Sequence, residues 1–256
     1  MSGYEVLQDG PHRRVVRVGD TVRRPMHPWS PAIHELLRHL ADVGFPYAPR
    51  VLGVDDDGRE VLTYLAGESG PAGWAPVVDE AGLTAMARLL REYHDAVRGF
   101  RPDATWAART GAPGDGELVC HGDFGPWNLV WQGSRPVGIL DWDYAWPNRP
   151  VHDVAYALEY VAPFRDDREC LRWLRHPAPP DRRQRIEVFA AAYGLTSTDG
   201  LVDEVIGQQR RVLERARRLA AAGHQPQLSW QDSGALDEIA RRIDWSTEHR
   251  KLFGAT

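Results

Sequence analysis

Short apolar segments, separated by turn residues, fill the first 65 positions of the chain. The segments that favour strands lie at residues 5–7, 15–18, 21–23, 50–54 and 60–65. One further segment has apolar residues at intervals of three and four, which is the spacing of a buried helix face. This helix is predicted to start at Ser30, with Pro31 in its first turn, and to continue to about residue 41. The pattern therefore predicts a β-rich N-terminal lobe over residues 1–65.

The rest of the chain is predicted to be mainly helical. A glycine-rich stretch at residues 66–73 follows the first lobe and is typical of a hinge. A helical stripe comes next, formed by Leu83, Met86, Leu90, Tyr93 and Val97. Further helices are predicted over residues 152–162, 181–193, 201–222 and 234–250. One non-helical segment, residues 117–147, interrupts them, and the whole pattern predicts an α+β fold with a C-terminal lobe over residues 66–256.

The composition excludes several classes of protein. Of the 256 residues, 43% are hydrophobic and 26% are charged, which is typical of a globular chain. No apolar stretch reaches the length of about eighteen residues that a membrane span needs, and the N-terminus lacks the pattern of a signal peptide. The two cysteines provide no disulfide framework, and the net charge of -5 argues against a nucleic-acid partner. We therefore expect a cytoplasmic protein that binds neither nucleic acid nor a membrane.

The clearest chemistry lies within residues 117–147. Two apolar runs there predict an antiparallel hairpin with a four-residue loop over residues 133–136. In this register Asn128 lies directly opposite Asp141, at the open end of the hairpin. Asp123 lies on the loop that leads into the first strand. Three oxygen-bearing side chains are therefore predicted to converge on one edge of the hairpin.

A carboxylate and an amide oxygen at the mouth of a hairpin suit a hard cation, Mg²⁺ in particular. Asn128 and Asp141 are therefore the predicted metal ligands, and Asp123 can accept a proton from a hydroxyl group or orient it. Phosphoryl transfer needs this division of labour, because a metal must neutralise the phosphates while a carboxylate positions the nucleophile. The alternative is that Asp123 and Asn128 only cap turns.

The pattern formed by His121-Gly-Asp123, Asn128 and Asp141 resembles the aminoglycoside phosphotransferase and choline kinase family of small-molecule kinases. The resemblance implies a two-lobed protein-kinase-like fold. It also implies that Asp123 is the catalytic base and that Asn128 and Asp141 are Mg²⁺ ligands. His121 would pack against the catalytic loop and hold it, and Asp153 would brace the same loop from the start of a helix.

The lysine that binds nucleotide phosphates in protein-kinase-like enzymes has no counterpart here, because the one lysine of the chain is Lys251. Arg23 or Arg24 must substitute, and only one can enter the cleft, since neighbours on a strand point to opposite faces. We predict Arg23, with Glu35 of the helix as its partner; His34 is adjacent, and a shift of one residue would select it instead. The exchange is not conservative, because a guanidinium needs more room than an ammonium and can bind phosphate through two atoms.

Contacts to the nucleotide and to the acceptor are expected at two further places. The resemblance implies that the backbone of Tyr64 and Ala66 contacts the purine. Trp142, Asp143 and Tyr144 are candidates for acceptor binding, because an aromatic and acidic wall suits a cationic or ring-bearing hydroxyl compound. The alternative for the aromatic residues is packing in the core of the helical lobe.

The sequence thus predicts a phosphotransferase that moves the γ-phosphate of ATP or GTP to a hydroxyl of a small molecule, such as an antibiotic, an aminoglycoside or an amino-alcohol metabolite. Mg²⁺ is the expected cofactor, and the protein is expected to be a monomer or a homodimer. The alternative is a pseudokinase or nucleotide-binding regulator without transfer activity, which the missing lysine favours. A metal-dependent glycosyltransferase, with Asp141-Trp-Asp143 as its metal motif, would leave His121 and Asn128 without a role.

Overall fold

A computed structural model describes residues 3–10, 13–223 and 227–254 of the chain. The chain divides into two compact units. The first consists of Met1–Gly73 and Arg91–Pro150, and the second consists of Trp74–Leu90 and Val151–Thr256. The described strands all belong to the first unit, and the second is helical, which confirms the predicted α+β class. The lobe boundary after residue 65 stays a prediction.

The first unit is built on a five-stranded antiparallel sheet. Its strands are β1 (Glu5–Gly10), β2 (Arg13–Val18), β3 (Thr21–Pro25), β4 (Val51–Val54) and β5 (Arg59–Thr63), in the spatial order β1-β2-β3-β5-β4. Helix α1 (Ser30–Asp42) follows β3 and buries the apolar stripe Ile33, Leu36, Leu37 and Leu40. Full burial of each such side chain contributes roughly 1.5–3 kcal/mol. The structure confirms the five predicted strands and the predicted helix.

Two small sheets hold the segment that the motif residues occupy. Strand β6 (Leu118–Cys120) pairs with β9 (Trp146–Asn148), and β7 (Leu129–Gln132) forms a hairpin with β8 (Arg135–Ile139). Their side chains are largely buried, in keeping with the apolar runs of the sequence. These sheets fix the ends of the loops that carry the motif.

The hairpin of β7 and β8 is tighter than predicted, because its turn has two residues instead of four. Asn128 therefore pairs through the backbone with Leu140 and not with Asp141. The N–H of Leu140 donates to the carbonyl of Asn128 at 2.7 Å. The prediction assigned Pro136 to the loop, whereas this residue lies in β8 opposite Trp131, beside a bulge where its missing N–H is tolerated.

The second unit is a set of packed helices. They are α3 (Val151–Val161), α4 (Asp167–Arg172), α5 (Arg182–Tyr193), α6 (Leu201–Ala221), α7 (Gln227–Asp232) and α8 (Ala235–Glu248), and helix α2 (Glu80–Ala96) contributes its first turns. The long helix α6 packs against both α3 and α8. None of the helices in the described ranges combines the length and the hydrophobicity that crossing a bilayer requires.

His176, in the connection between α4 and α5, makes the stability of the protein depend on pH. Its side chain is only 8% exposed, and burial, together with the charges of Arg185 and Arg182, lowers its pKa from 6.5 to about 4. The unfolded chain therefore binds a proton between these two pH values while the folded chain does not. The contribution of His176 is fully present above pH 6.5 and is lost as the pH falls through this window.

We expect His176→Gln to flatten the pH dependence of unfolding. Between pH 7.5 and 4.5 the wild type should lose about 2–3 kcal/mol more stability than the variant does. Urea unfolding at the two pH values measures both losses. Glu159, whose pKa burial raises, acts in the opposite direction in both proteins and cancels from the comparison. Equal losses in both proteins would show that His176 does not titrate in this window.

Candidate active site

The loop between β6 and β7 is held in place by His121. Its imidazole is fully buried, and Nδ1 accepts a hydrogen bond from the backbone N–H of Asp123 at 3.3 Å. Nε2 therefore carries the proton and donates to the carbonyl of Leu140 at 2.8 Å. The ring thus connects the loop of Asp123 to the segment that leads into Asp141.

Gly122 is required by the geometry of the same loop. Its φ is +80°, and a Cβ at this position would lie 2.1 Å from the carbonyl oxygen of Tyr144. Glycine adopts this conformation without a steric penalty. The middle residue of His121-Gly-Asp123 therefore lets the loop approach the chain that follows Asp141.

Asp123 and Asn128 are in direct contact. The amide nitrogen of Asn128 donates to the carboxylate of Asp123 at 2.7 Å and to its backbone carbonyl at 2.9 Å. Because the amide nitrogen serves Asp123, the amide oxygen is the atom of Asn128 that can bind a cation. The contact orients the Asp123 carboxylate, which is half-buried.

Asp141 follows with an unusual backbone. Its φ of 56° and ψ of 62° lie in the left-handed region, which residues other than glycine seldom adopt. This residue lies two positions beyond the end of β8 and precedes the 3₁₀ turn Trp142–Tyr144. Its side chain, which is 26% exposed, lies on the wall of a cavity. Asp123 and Asn128 line the same cavity, which has a volume of about 560 Å³. The structure therefore brings the three predicted residues together, although the predicted strand register was wrong.

The donor set fits a magnesium ion. Asn128 offers a neutral amide oxygen and Asp141 offers a carboxylate on the wall of one cavity. Mg²⁺ binds few protein oxygens and completes its shell with water and substrate phosphates. Asn128 and Asp141 are the residues that would hold it.

The prediction that Arg23 enters the cavity is wrong, because the structure places Arg24 there. Strand alternation puts Arg24 on the same face of β3 as Val22, and both line the cavity. Arg23 points to the other face, where its guanidinium lies 3.6 Å from the carboxylate of Asp55. Arg24 is buried, at 6% exposure.

Arg24 is surrounded by carboxylates. Its Nε donates to Glu60 at 2.5 Å, and its two terminal nitrogens donate to Asp143 at 2.8 and 3.1 Å. Nη1 also lies 3.7 Å from Asp141. A single guanidinium therefore connects strand β5 to the Asp141 segment.

Glu35 is not the helix partner of this arginine. It lies on the exposed face of α1, while the adjacent His34 is buried and its Nε2 lies 2.7 Å from the second oxygen of Glu60. The carboxylate that binds Arg24 comes from Glu60 of β5 instead, a residue that was not among the predicted site residues. The available signal was that Glu60 shares the apolar face of its strand with Leu62.

Glu60 is ionised in this environment. Burial alone would raise the pKa of its carboxyl. The hydrogen bond from His34 and the positive charge of Arg24 lower the pKa by more than burial raises it, so the net pKa lies below the usual value. Both oxygens of this fully buried side chain have a partner. Glu60 therefore provides a fixed negative charge next to the cavity.

The three acceptor candidates occupy different environments. Asp143 lies beyond the end of β8, which stops at Ile139, in a 3₁₀ turn over residues 142–144. Asp143 is buried and binds Arg24, and Trp142 is buried with its indole N–H donating to the carbonyl of Ile139 at 3.1 Å. Tyr144 is exposed. Acceptor binding by these residues stays a prediction.

The proposed purine contacts lie near the cavity but are already hydrogen-bonded. Tyr64 lines the cavity, and its N–H donates to the carbonyl of Asp20 at 2.8 Å. The carbonyl of Ala66 accepts from the side chain of Gln132 at 3.2 Å. Asp153 is buried in the first turn of α3, within the second unit. The purine contacts of Tyr64 and Ala66, and the support of the catalytic loop by Asp153, stay predictions.

The fold and this site define a class of protein, the kinase-like phosphotransferases. The model of the phosphotransferase enzyme family APH matches residues 2–115 and 104–188. The trifolitoxin immunity protein of Rhizobium leguminosarum bv. trifolii is 32% identical over 261 residues, which cover 97% of each chain. The chain therefore belongs to this phosphotransferase family, and the resemblance that the motif indicated is confirmed.

Solved structures confirm the fold. The GDP complex of aminoglycoside 2'-phosphotransferase-IIIa is 15% identical, with a TM-score of 0.59, and the match covers 97% of this chain and 93% of that one. A choline/ethanolamine kinase family protein from Mesorhizobium loti is 18% identical, with a TM-score of 0.58 and coverage of 95% and 92%. The chain therefore has the two-lobed protein-kinase-like fold, with a β-sheet N-terminal lobe and a helical C-terminal lobe.

Proposed function

We propose that the protein transfers the γ-phosphate of ATP or GTP to a hydroxyl group of a small molecule. The observation that carries the proposal is the constellation of Asp123, Asn128 and Asp141 on the wall of one cavity. A carboxylate held by an amide, beside a second carboxylate, supplies what phosphoryl transfer needs. Membership in a phosphotransferase family supports the same reaction class.

Each residue has a distinct task in this proposal. Asp123, oriented by Asn128, accepts the proton of the acceptor hydroxyl or aligns it for attack. Asn128 and Asp141 would hold Mg²⁺, which neutralises the charge of the phosphates when it is bound. Arg24 provides a second positive charge on the wall of the cavity. His121 keeps the Asp123 loop and the Asp141 segment in register.

The names of the relatives suggest a class of acceptor. One relative is an immunity protein named for trifolitoxin, and several structures of similar fold are aminoglycoside phosphotransferases, two of them described with kanamycin or gentamicin. We therefore favour a hydroxyl-bearing toxin or antibiotic over an amino-alcohol metabolite. Both GDP and ATP complexes occur among these structures, so either nucleotide is a candidate donor. We also propose that the protein acts in the cytoplasm.

A nucleotide-binding regulator without transfer activity is the second candidate. The specific observation in its favour is that both terminal nitrogens of Arg24 already bind Asp143. Phosphate oxygens must compete with this carboxylate for the same donors. A protein that only senses nucleotide could tolerate this competition better than an enzyme could.

Nucleoside diphosphate release separates the two candidates. Wild type and Asp141→Asn are incubated with ATP or GTP, Mg²⁺ and a panel of hydroxyl compounds, and products are checked by mass for one added phosphate. We expect release with at least one acceptor in the wild type and its loss in the variant or when Mg²⁺ is removed. Nucleotide binding without transfer to any compound would favour the regulator.

A further inference from the structure

Glu60 and His34 form a buried chain of contacts behind Arg24. His34 Nε2 lies 2.7 Å from one oxygen of Glu60, and the other oxygen accepts from Arg24 Nε at 2.5 Å. Glu60 is fully buried, and His34 and Arg24 are each 6% exposed. The three residues come from β5, α1 and β3, so the contacts connect three elements of the first unit.

The contact with Glu60 uses only the Nε of Arg24, so the two terminal nitrogens of the guanidinium bind other partners. Glu60 binds Nε, and the opposite end of Arg24, with Nη1 and Nη2, points to Asp143 and Asp141. A planar guanidinium that is fixed at one edge has a fixed orientation at the other. The Glu60 contact therefore determines where the two terminal nitrogens lie in the cavity.

The geometry points to Glu60 and His34 as positioning residues that hold Arg24 for the phosphates of a bound nucleotide. This inference rests on the proposed function. Phosphate oxygens would take over the terminal nitrogens from Asp143, whereas the contact between Arg24 and Glu60 would persist. His34 fixes the Glu60 carboxylate through its second oxygen, so that a strand carboxylate backed by a helix imidazole holds the cation.

Four variants test this arrangement. Glu60→Gln removes the charge that holds Arg24, and His34→Leu removes the hydrogen bond to Glu60. His34→Gln keeps a hydrogen-bond donor at that position and should rescue binding, and Glu35→Gln is the matched control on the exposed face of α1. The dissociation constants of Mg-ATP and Mg-GTP are measured by calorimetry, together with Tm and the ¹⁵N–¹H resonance of Arg24 Nε.

We expect Glu60→Gln to weaken nucleotide binding by about tenfold or more, because charge-assisted contacts of guanidinium are strong and directional. His34→Leu should weaken it by about threefold or more, while His34→Gln and Glu35→Gln should stay within about twofold of the wild type. In turnover assays the loss should fall mainly on KM for the nucleotide and less on kcat. The Arg24 Nε resonance should shift or broaden in Glu60→Gln and His34→Leu.

The outcomes separate a positioning role from a structural one. Wild-type affinity in His34→Leu and Glu60→Gln, with a lowered Tm, would overturn the inference and leave these residues a structural role. If Glu60→Gln does not fold, the comparison of His34→Leu with His34→Gln decides. If the wild type binds neither nucleotide, the proposed function fails; an unchanged Arg24 Nε resonance in both variants would then overturn the positioning contact, and a shifted one would support it.

Discussion

Asp123→Asn is expected to reduce phosphoryl transfer by about 10²–10⁴-fold, the usual contribution of a positioned general base. The variant keeps an oxygen that can accept from the Asn128 amide, so the loop geometry should persist. What it loses is the negative charge that, in the proposed reaction, accepts or aligns the hydroxyl proton. Turnover is measured at saturating nucleotide with an acceptor from the panel, and nucleotide affinity is measured separately by calorimetry.

The control for this experiment is Asp115→Asn, which changes an exposed aspartate of the same unit. It should leave both turnover and affinity unchanged. A loss of nucleotide affinity in Asp123→Asn equal to the loss of turnover would indicate a defect in binding. Wild-type turnover in Asp123→Asn would contradict the assignment of Asp123 as the catalytic base.

Arg24→Ala should destabilise the protein by about 3–5 kcal/mol, because it leaves the buried carboxylates of Glu60 and Asp143 without their cation. The adjacent residue provides the control: Arg23 is partly exposed and pairs loosely with Asp55, so Arg23→Ala should cost no more than about 1 kcal/mol. Urea unfolding at pH 7 compares the two variants with the wild type.

A conservative change at the same position refines this result. Arg24→Lys keeps the charge but cannot bind Glu60 and Asp143 through separate edges, and it should fall between the alanine variant and the wild type. Equal stability of Arg24→Ala and Arg23→Ala would mean that the buried network contributes nothing to folding.

The sequence was sufficient to predict which residues meet in the candidate site, but not their detailed contacts. Asp123, Asn128 and Asp141 were predictable because the motif fixes their spacing along the chain. The register of the β7–β8 hairpin, which fixes their exact positions, was not predictable. A bulge and a proline within β8 shift the strand pairing, and such irregularities follow no alternating pattern.

Tertiary contacts account for the other differences. The position of Arg24 depends on which face of β3 lines the cavity. A strand of five residues has too few alternating positions to show from its sequence which of its two faces that is. A role for Glu60 could be predicted only by recognising that it lies on the buried face of β5. The helices α4 and α7 are six residues long, too short for a periodic signal.

The left-handed backbone at Asp141 has a consequence for how this residue can be studied by alanine scanning. Alanine at such a dihedral pair adds conformational strain of roughly 1 kcal/mol to the removal of the carboxylate, so one substitution would mix two effects. Asparagine tolerates the same dihedral angles and is nearly isosteric. Amide replacement therefore isolates the electrostatic role of this position, whereas truncation does not.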